Sequence, residues 1–210
     1  MPSFLSVLTR EQIRLLKPLL NRMSIPRARA FQDALGELGA KLVAGRVVFE
    51  PVLMDAFGAC FALPANEKDS NRAILYLHGG GFVAGNEKYA CGFAGLLADR
   101  TRRRVLSAAY RLAPEHPFPA ALDDALAAYC YLLDKGWEAG QIAFAGESAG
   151  GGLIFSLCLR LKQLGLPLPA ALVGISPWTD LTLSGVSYRT NARKDPSLSM
   201  KALRSYVSVY

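Results

Sequence analysis

One serine stands between glycines two residues to either side, in Gly146-Glu147-Ser148-Ala149-Gly150, where an apolar strand-like run meets an apolar helix-like one. That pattern turns a chain sharply enough to expose a hydroxyl at a helix N-terminus, where the helix dipole favours developing negative charge. The chemistry it suits is attack of Ser148 on a carbonyl carbon. Such an attack needs a group to take the serine proton and amides to hold the oxyanion.

A second glycine cluster, His78-Gly79-Gly80-Gly81-Phe82, follows directly on a short apolar run. Packing gives no evident reason for three successive glycines, each costly in conformational entropy, so their amides are expected to face a ligand. The oxyanion donors are then the N–H groups of Gly80, Gly81 and Ala149. Neither glycine cluster is followed by the Lys-Ser/Thr pair of a phosphate-binding loop. The chain has 2 histidines, His78 and His116, and none follows Ser148. His78 at the end of a strand is a conceivable but disfavoured substitute base. His116, held between Pro114 and Pro117, reads as a turn residue. Asp180 reads as a turn or cap residue and Asp195 as a solvated one.

These residues must be positioned by strands and helices that alternate. Residues 46–51 and 56–63 suit an antiparallel pair, with 66–71 as a polar turn, and 73–77 suits a strand buried on both faces. A helix is expected over 89–100, a strand over 105–109 and a helix over 120–133 with Leu122, Leu126 and Tyr129 on one face. A strand over 141–145 feeds the serine turn. The following helix aligns Leu153, Leu157 and Leu161, and 171–176 is a further strand. Alternation of this kind implies a mainly parallel sheet with helices on both faces. Ahead of it, Thr9 and Gln12 have capping-box spacing, followed by Ile13, Leu16, Leu19 and Leu20 on one face. Pro26 opens a second helix bearing Phe31, Leu35 and Leu38. These two helices could be a lid, a dimer contact or a flank of the core.

Four stretches, HGGGF at 78–82, YRLAPEHPFPAALDD at 110–124, GESAGG at 146–151 and SPWTDLT at 176–182, resemble the hormone-sensitive-lipase-like family of α/β-hydrolases. The resemblance implies an α/β-hydrolase fold with an N-terminal helical cap, and carboxylesterase or lipase activity on short to medium acyl esters without a cofactor. It implies Ser148 as nucleophile, Gly80, Gly81 and Ala149 as oxyanion hole, and His78, Gly79 and Glu147 as supporting residues. It divides the chain into cap helices at 1–45, a hydrolase core at 46–183 and the start of a second cap segment at 184–210. In that family the catalytic acid and histidine follow the serine, so here both are expected to be absent, with the last strand-helix units missing. A non-catalytic relative that binds acyl or ester ligands, or pairs through an open sheet edge, is the alternative.

Composition bounds the rest. The chain of 210 residues is 51% hydrophobic and 20% charged, which suits one well-buried domain. The net charge of +7 has its densest cluster at Arg100, Arg102, Arg103 and Arg104, which read as cations at a helix end rather than a footprint for phosphates or anionic lipid. Cys60, Cys91, Cys130 and Cys158 are scattered singly, with no spacing for a metal, and read as small core residues of a protein in a reducing compartment. With no signal-peptide pattern and no long apolar run, a cytoplasmic protein without stable membrane insertion is expected. Its partners are a small-molecule ester, no nucleic acid, and a second copy or partner segment over the sheet edge.

Overall fold

The structure, a computed structural model, describes residues 3–68 and 71–210. Two helices, α1 (Phe4–Leu20) and α2 (Ile25–Leu42), precede strands β1 (Val47–Leu53), β2 (Gly58–Pro64) and β3 (Ala73–Leu77). Then come α3 (Glu87–Thr101), β4 (Arg104–Ala109), α4 (Ala120–Asp134), β5 (Ile142–Glu147), α5 (Ser148–Leu164) and β6 (Ala171–Ile175). Two short helices close the chain, α6 (Ser187–Thr190) and α7 (Met200–Val207).

The strands form one sheet in the order β1-β2-β4-β3-β5-β6. β1 and β2 pair antiparallel and β2 joins β4 antiparallel, while β4, β3, β5 and β6 run parallel. Alternation along the central strands feeds two layers. Leu75, Leu77, Leu106, Ile142 and Phe144 face the side packed by Ala125, Tyr129, Leu153 and Leu157 of α4 and α5. Tyr76, Val105 and Ala145 face the other side, against Ala94 and Ala98 of α3. The expected parallel sheet with helices on both faces is thus present, and the outer edge of β6 leaves Leu172, Val173 and Ile175 exposed.

Several local expectations are corrected. The N-terminal helix begins at Phe4, capped by Ser3 accepting from the Ser6 amide at 3.2 Å, so Thr9 lies inside the helix rather than at its start. The buried line of α4 is Ala121, Asp124, Ala125, Ala128, Tyr129 and Leu132. Small side chains let this helix approach the sheet closely, which moves Leu122 and Leu126 to its margin. On α2 the buried residues are Gly36 and Gly39, set against the backbone of Lys88, Tyr89 and Gly92, and the stripe of Phe31, Leu35 and Leu38 is exposed. The polar turn expected at 66–71 lies partly outside the described residues; the Lys68 amide donates to Arg102 O at 3.0 Å. Cys60 of β2 and Cys91 of α3 form a disulfide with Cα atoms 6.3 Å apart, whereas Cys130 and Cys158 are free. The cysteines are therefore not all single, and their use no longer argues for a reducing compartment.

The basic cluster behaves as expected of a helix end. Arg100 lies in the last turn of α3 and Arg102 caps it in the left-handed conformation. Arg104 makes a two-pronged pair with Glu67, both contacts at 2.7 Å.

Candidate active site

Ser148 sits at the carboxyl end of β5, as the first residue of α5, with φ 53°. A non-glycine residue in that region is strained, and surrounding packing must hold it there. Gly150 allows the close approach that does so. A Cβ on it would lie 2.1 Å from Leu77 O and 2.3 Å from His78 O, so only glycine lets α5 start this close to β3. On the far side the Trp178 amide donates to Ser148 O at 2.8 Å, which ties the 176–182 stretch to the serine turn.

The glycine loop lies directly opposite. Gly79 N–H donates to Glu147 Oε1 at 2.7 Å, and the same carboxylate accepts from the hydroxyls of Tyr89 at 3.0 Å and Tyr76 at 2.5 Å. Burial raises the Glu147 pKa, and these donors draw it part of the way back. Glu147 therefore clasps the loop to the residue beside Ser148. Gly80 takes φ 121° with Ala84 O 2.1 Å from where its Cβ would be, and the ring of Tyr206 packs 2.8 Å from the Cβ position of Gly81. Packing does require these glycines, contrary to the sequence reading. Their amides are nonetheless open. Among the described residues neither Gly80 N–H nor Gly81 N–H donates to a backbone acceptor outside regular elements, and Ala149 is among the first helical residues, whose amides lack intrahelical partners.

Neither histidine meets Ser148. His78 is fully buried, with Nδ1 2.7 Å from Gly79 O and its ring stacked on Tyr110 at 4.1 Å. Burial pushes its pKa down to about 4. The Tyr110 hydroxyl donates to His78 O at 2.6 Å, so the residue braces the loop from both its ring and its backbone. His116 is exposed and lines a separate hollow with Arg29, Arg111 and Glu115. Asp180 nucleates a turn, accepting from the amides of Thr182 and Ser184 at 2.9 Å each. Asp195 is half-buried rather than solvated, and its Oδ1 accepts from the amides of Ser197 and Leu198.

A cavity of about 580 Å³ opens over Ser148. Gly79, Gly80, Gly81 and Glu147 form its polar floor, while Leu20, Phe31 and Leu35 of the N-terminal helices, Met23 between those helices, and Leu203 and Tyr206 of α7 supply apolar walls. Phe31 and Leu35 of the α2 stripe thus line this cavity, which suits the lid among the roles open to these helices. Tyr76, Tyr89 and Tyr206 were not expected here. A hydroxyl within the apolar run of β3 was a usable signal for Tyr76, but nothing local marks the other two. No group of three metal-binding side chains occurs among the described residues.

A sheet in this strand order, with a strained serine at the β5–α5 turn beneath a roofed cavity, defines a protein of the hydrolase class of α/β folds. The chain belongs to the alpha/beta hydrolase fold family, whose match spans residues 74–210. It is 38% identical over 209 residues to an acetyl-hydrolase of Streptomyces hygroscopicus, covering 97% of this chain and 66% of that protein. It is 33% identical over 151 residues to the hormone-sensitive lipase of Homo sapiens, covering 70% of this chain and 14% of the lipase. Among solved structures, an esterase from the bacterial hormone-sensitive lipase family superposes with a TM-score of 0.88 at 32% identity, covering 100% of this chain and 70% of that one.

Proposed function

We propose that the chain carries the nucleophile and oxyanion pocket of a serine-dependent carboxylic ester hydrolase acting on short to medium acyl esters. The observation that carries this reading is the convergence of the strained Ser148 with the open amides of Gly80 and Gly81 on one cavity, beside the helix start at Ala149. Ser148 Oγ attacks the ester carbonyl carbon, and the three amides stabilise the tetrahedral oxyanion. The alcohol leaves with a proton, and water then releases the acyl group from the serine. Glu147, Gly79 and His78 hold the donors in place. The cavity volume and its leucine, methionine and phenylalanine walls suit a modest acyl chain, in keeping with a relative named an acetyl-hydrolase. No cofactor enters the scheme.

The proton acceptor is not among the two histidines, because one is buried against Gly79 and the other lies in a different hollow. The scheme therefore takes its base and acid from groups other than these two histidines, and the open β6 edge offers a place for another chain to pair. Residues 1–45 and 184–210 act together as the cap over the 46–183 core, since both line the cavity. The placement of both histidines away from Ser148 favours a second reading, in which the chain binds esters without turning them over. Hydrolysis of p-nitrophenyl acetate, butyrate and decanoate separates the two. Release that favours the shorter esters and vanishes in Ser148→Ala supports the hydrolase, whereas saturable binding with no release above the Ser148→Ala level supports the binder.

A further inference from the structure

The amphipathic helix α1 is mounted with its polar side toward the protein. Arg14 Nη2 donates to Lys194 O at 3.2 Å, Lys17 Nζ to Asp195 O at 2.7 Å and Asn21 Nδ2 to Ser197 O at 2.7 Å. The opposite side stacks Phe4, Leu8, Leu15 and Leu19 at helical spacing, flanked by Leu5 and Leu16. All six are exposed, Phe4 by 85% and Leu15 by 82%, and α1 buries no residue. A helix serving only to cover a core turns its apolar stripe inward, and a contiguous exposed stripe marks an interaction surface.

Charge identifies the partner. Residues 1–45 and 184–210 hold twelve of the 24 basic residues but only four of the 17 acidic ones, a net +8 that leaves residues 46–183 at −1. The exposed Arg22 and Arg27 sit at the junction of α1 and α2, next to Met23, which lines the cavity over Ser148. Two such caps facing one another would repel, so a second copy is disfavoured as the occupant. An apolar helix face on a strongly basic segment fits the surface of an anionic bilayer, where the apolar side chains enter the acyl boundary and the cations meet phosphate.

We propose that the cap is a docking surface for anionic phospholipid bilayers, with α1 lying in the interface without spanning it. The inference is independent of ester hydrolysis, so its test uses the chain carrying Ser148→Ala. Binding is read by co-sedimentation with vesicles of phosphatidylcholine alone or with about 30% phosphatidylglycerol. Two further variants are compared, Leu8→Gln with Leu15→Gln and Leu19→Gln, and Arg22→Glu with Arg27→Glu; all five positions are exposed, and unchanged circular dichroism confirms folding. The expected result is preferential partition onto the anionic vesicles, weakened about tenfold or more by either variant and by high salt. The proposal is overturned by equal binding to neutral vesicles, or by binding that both variants leave intact. It is also overturned if light scattering shows a dimer that the leucine variant dissociates while no vesicle binding occurs.

Discussion

His78 makes the stability of this fold depend on pH in a way that can be worked from its surroundings. Its Nδ1 lies 2.7 Å from Gly79 O, and a carbonyl oxygen only accepts, so Nδ1 carries the ring proton and Nε2 a bare lone pair. Nε2 has no hydrogen-bond partner. Protonating it would place a charge between Tyr110, stacked at 4.1 Å, and Tyr89, edge-on at 6.2 Å, which is why burial pushes the pKa from 6.5 to about 4. In the unfolded chain the ring titrates near its ordinary value. The unfolded state therefore takes up the proton first, so the contribution of His78 is intact above about pH 6.5 and is lost as pH falls toward 4. At about 1.4 kcal/mol per pH unit the loss approaches about 3 kcal/mol, a large share of the roughly 5–15 kcal/mol that holds a domain folded. Urea unfolding followed by circular dichroism at several pH values between 7 and 4 measures it, alongside His78→Phe, which keeps an aromatic ring against Tyr110 and cannot titrate. The wild type should lose about 3 kcal/mol more than the variant over that range. Parallel pH profiles would refute the reasoning.

Glu147→Leu should strand the Gly79 amide and the Tyr76 hydroxyl, at about 1–3 kcal/mol for each buried group; thermal melts should show the loss, with Glu147→Gln recovering part of it. Arg111→Met should cost about 3–5 kcal/mol in urea unfolding, because Asp124 is 2% exposed and takes contacts of 2.7 and 3.0 Å from that guanidinium. Gly150→Ala should destabilise by about 1–3 kcal/mol and also slow ester hydrolysis, since the new methyl at Leu77 O and His78 O levers Ser148 away from the glycine loop. A variant that melts lower but keeps full hydrolysis would show that this spacing does not matter to the site.

The sheet was legible because its central strands are short apolar runs of strand length, as at 73–77, and because each is followed by a helix-period segment. The serine turn and glycine loop were legible for the same reason: their motifs sit where a strand ends. What the sequence could not show was contact across the chain. The glycines of the loop looked free of packing constraint only because Ala84 O and Tyr206, which crowd them, are remote from the motif or unmarked by it. The stripe on α2 was visible as periodicity, yet periodicity does not say what an apolar face meets, and here Gly36 and Gly39 take the packed side. The disulfide joins residues 31 apart in the chain, which spacing alone does not pair. Ser3 as the cap of α1 was missed because Thr9 and Gln12 offered a stronger local pattern inside the same helix.

The most direct test is to treat the chain with a fluorophosphonate and map the adduct by intact and peptide mass. One adduct on Ser148 is expected. It should form slowly, since an oxyanion pocket without a base retains only about 10³ to 10⁴ over water, and the rate should be unaffected by His116→Asn and absent in Ser148→Ala. An adduct at another residue, or a fast reaction that His116→Asn abolishes, would contradict the assignment of Ser148 as a prearranged nucleophile whose base lies outside both histidines.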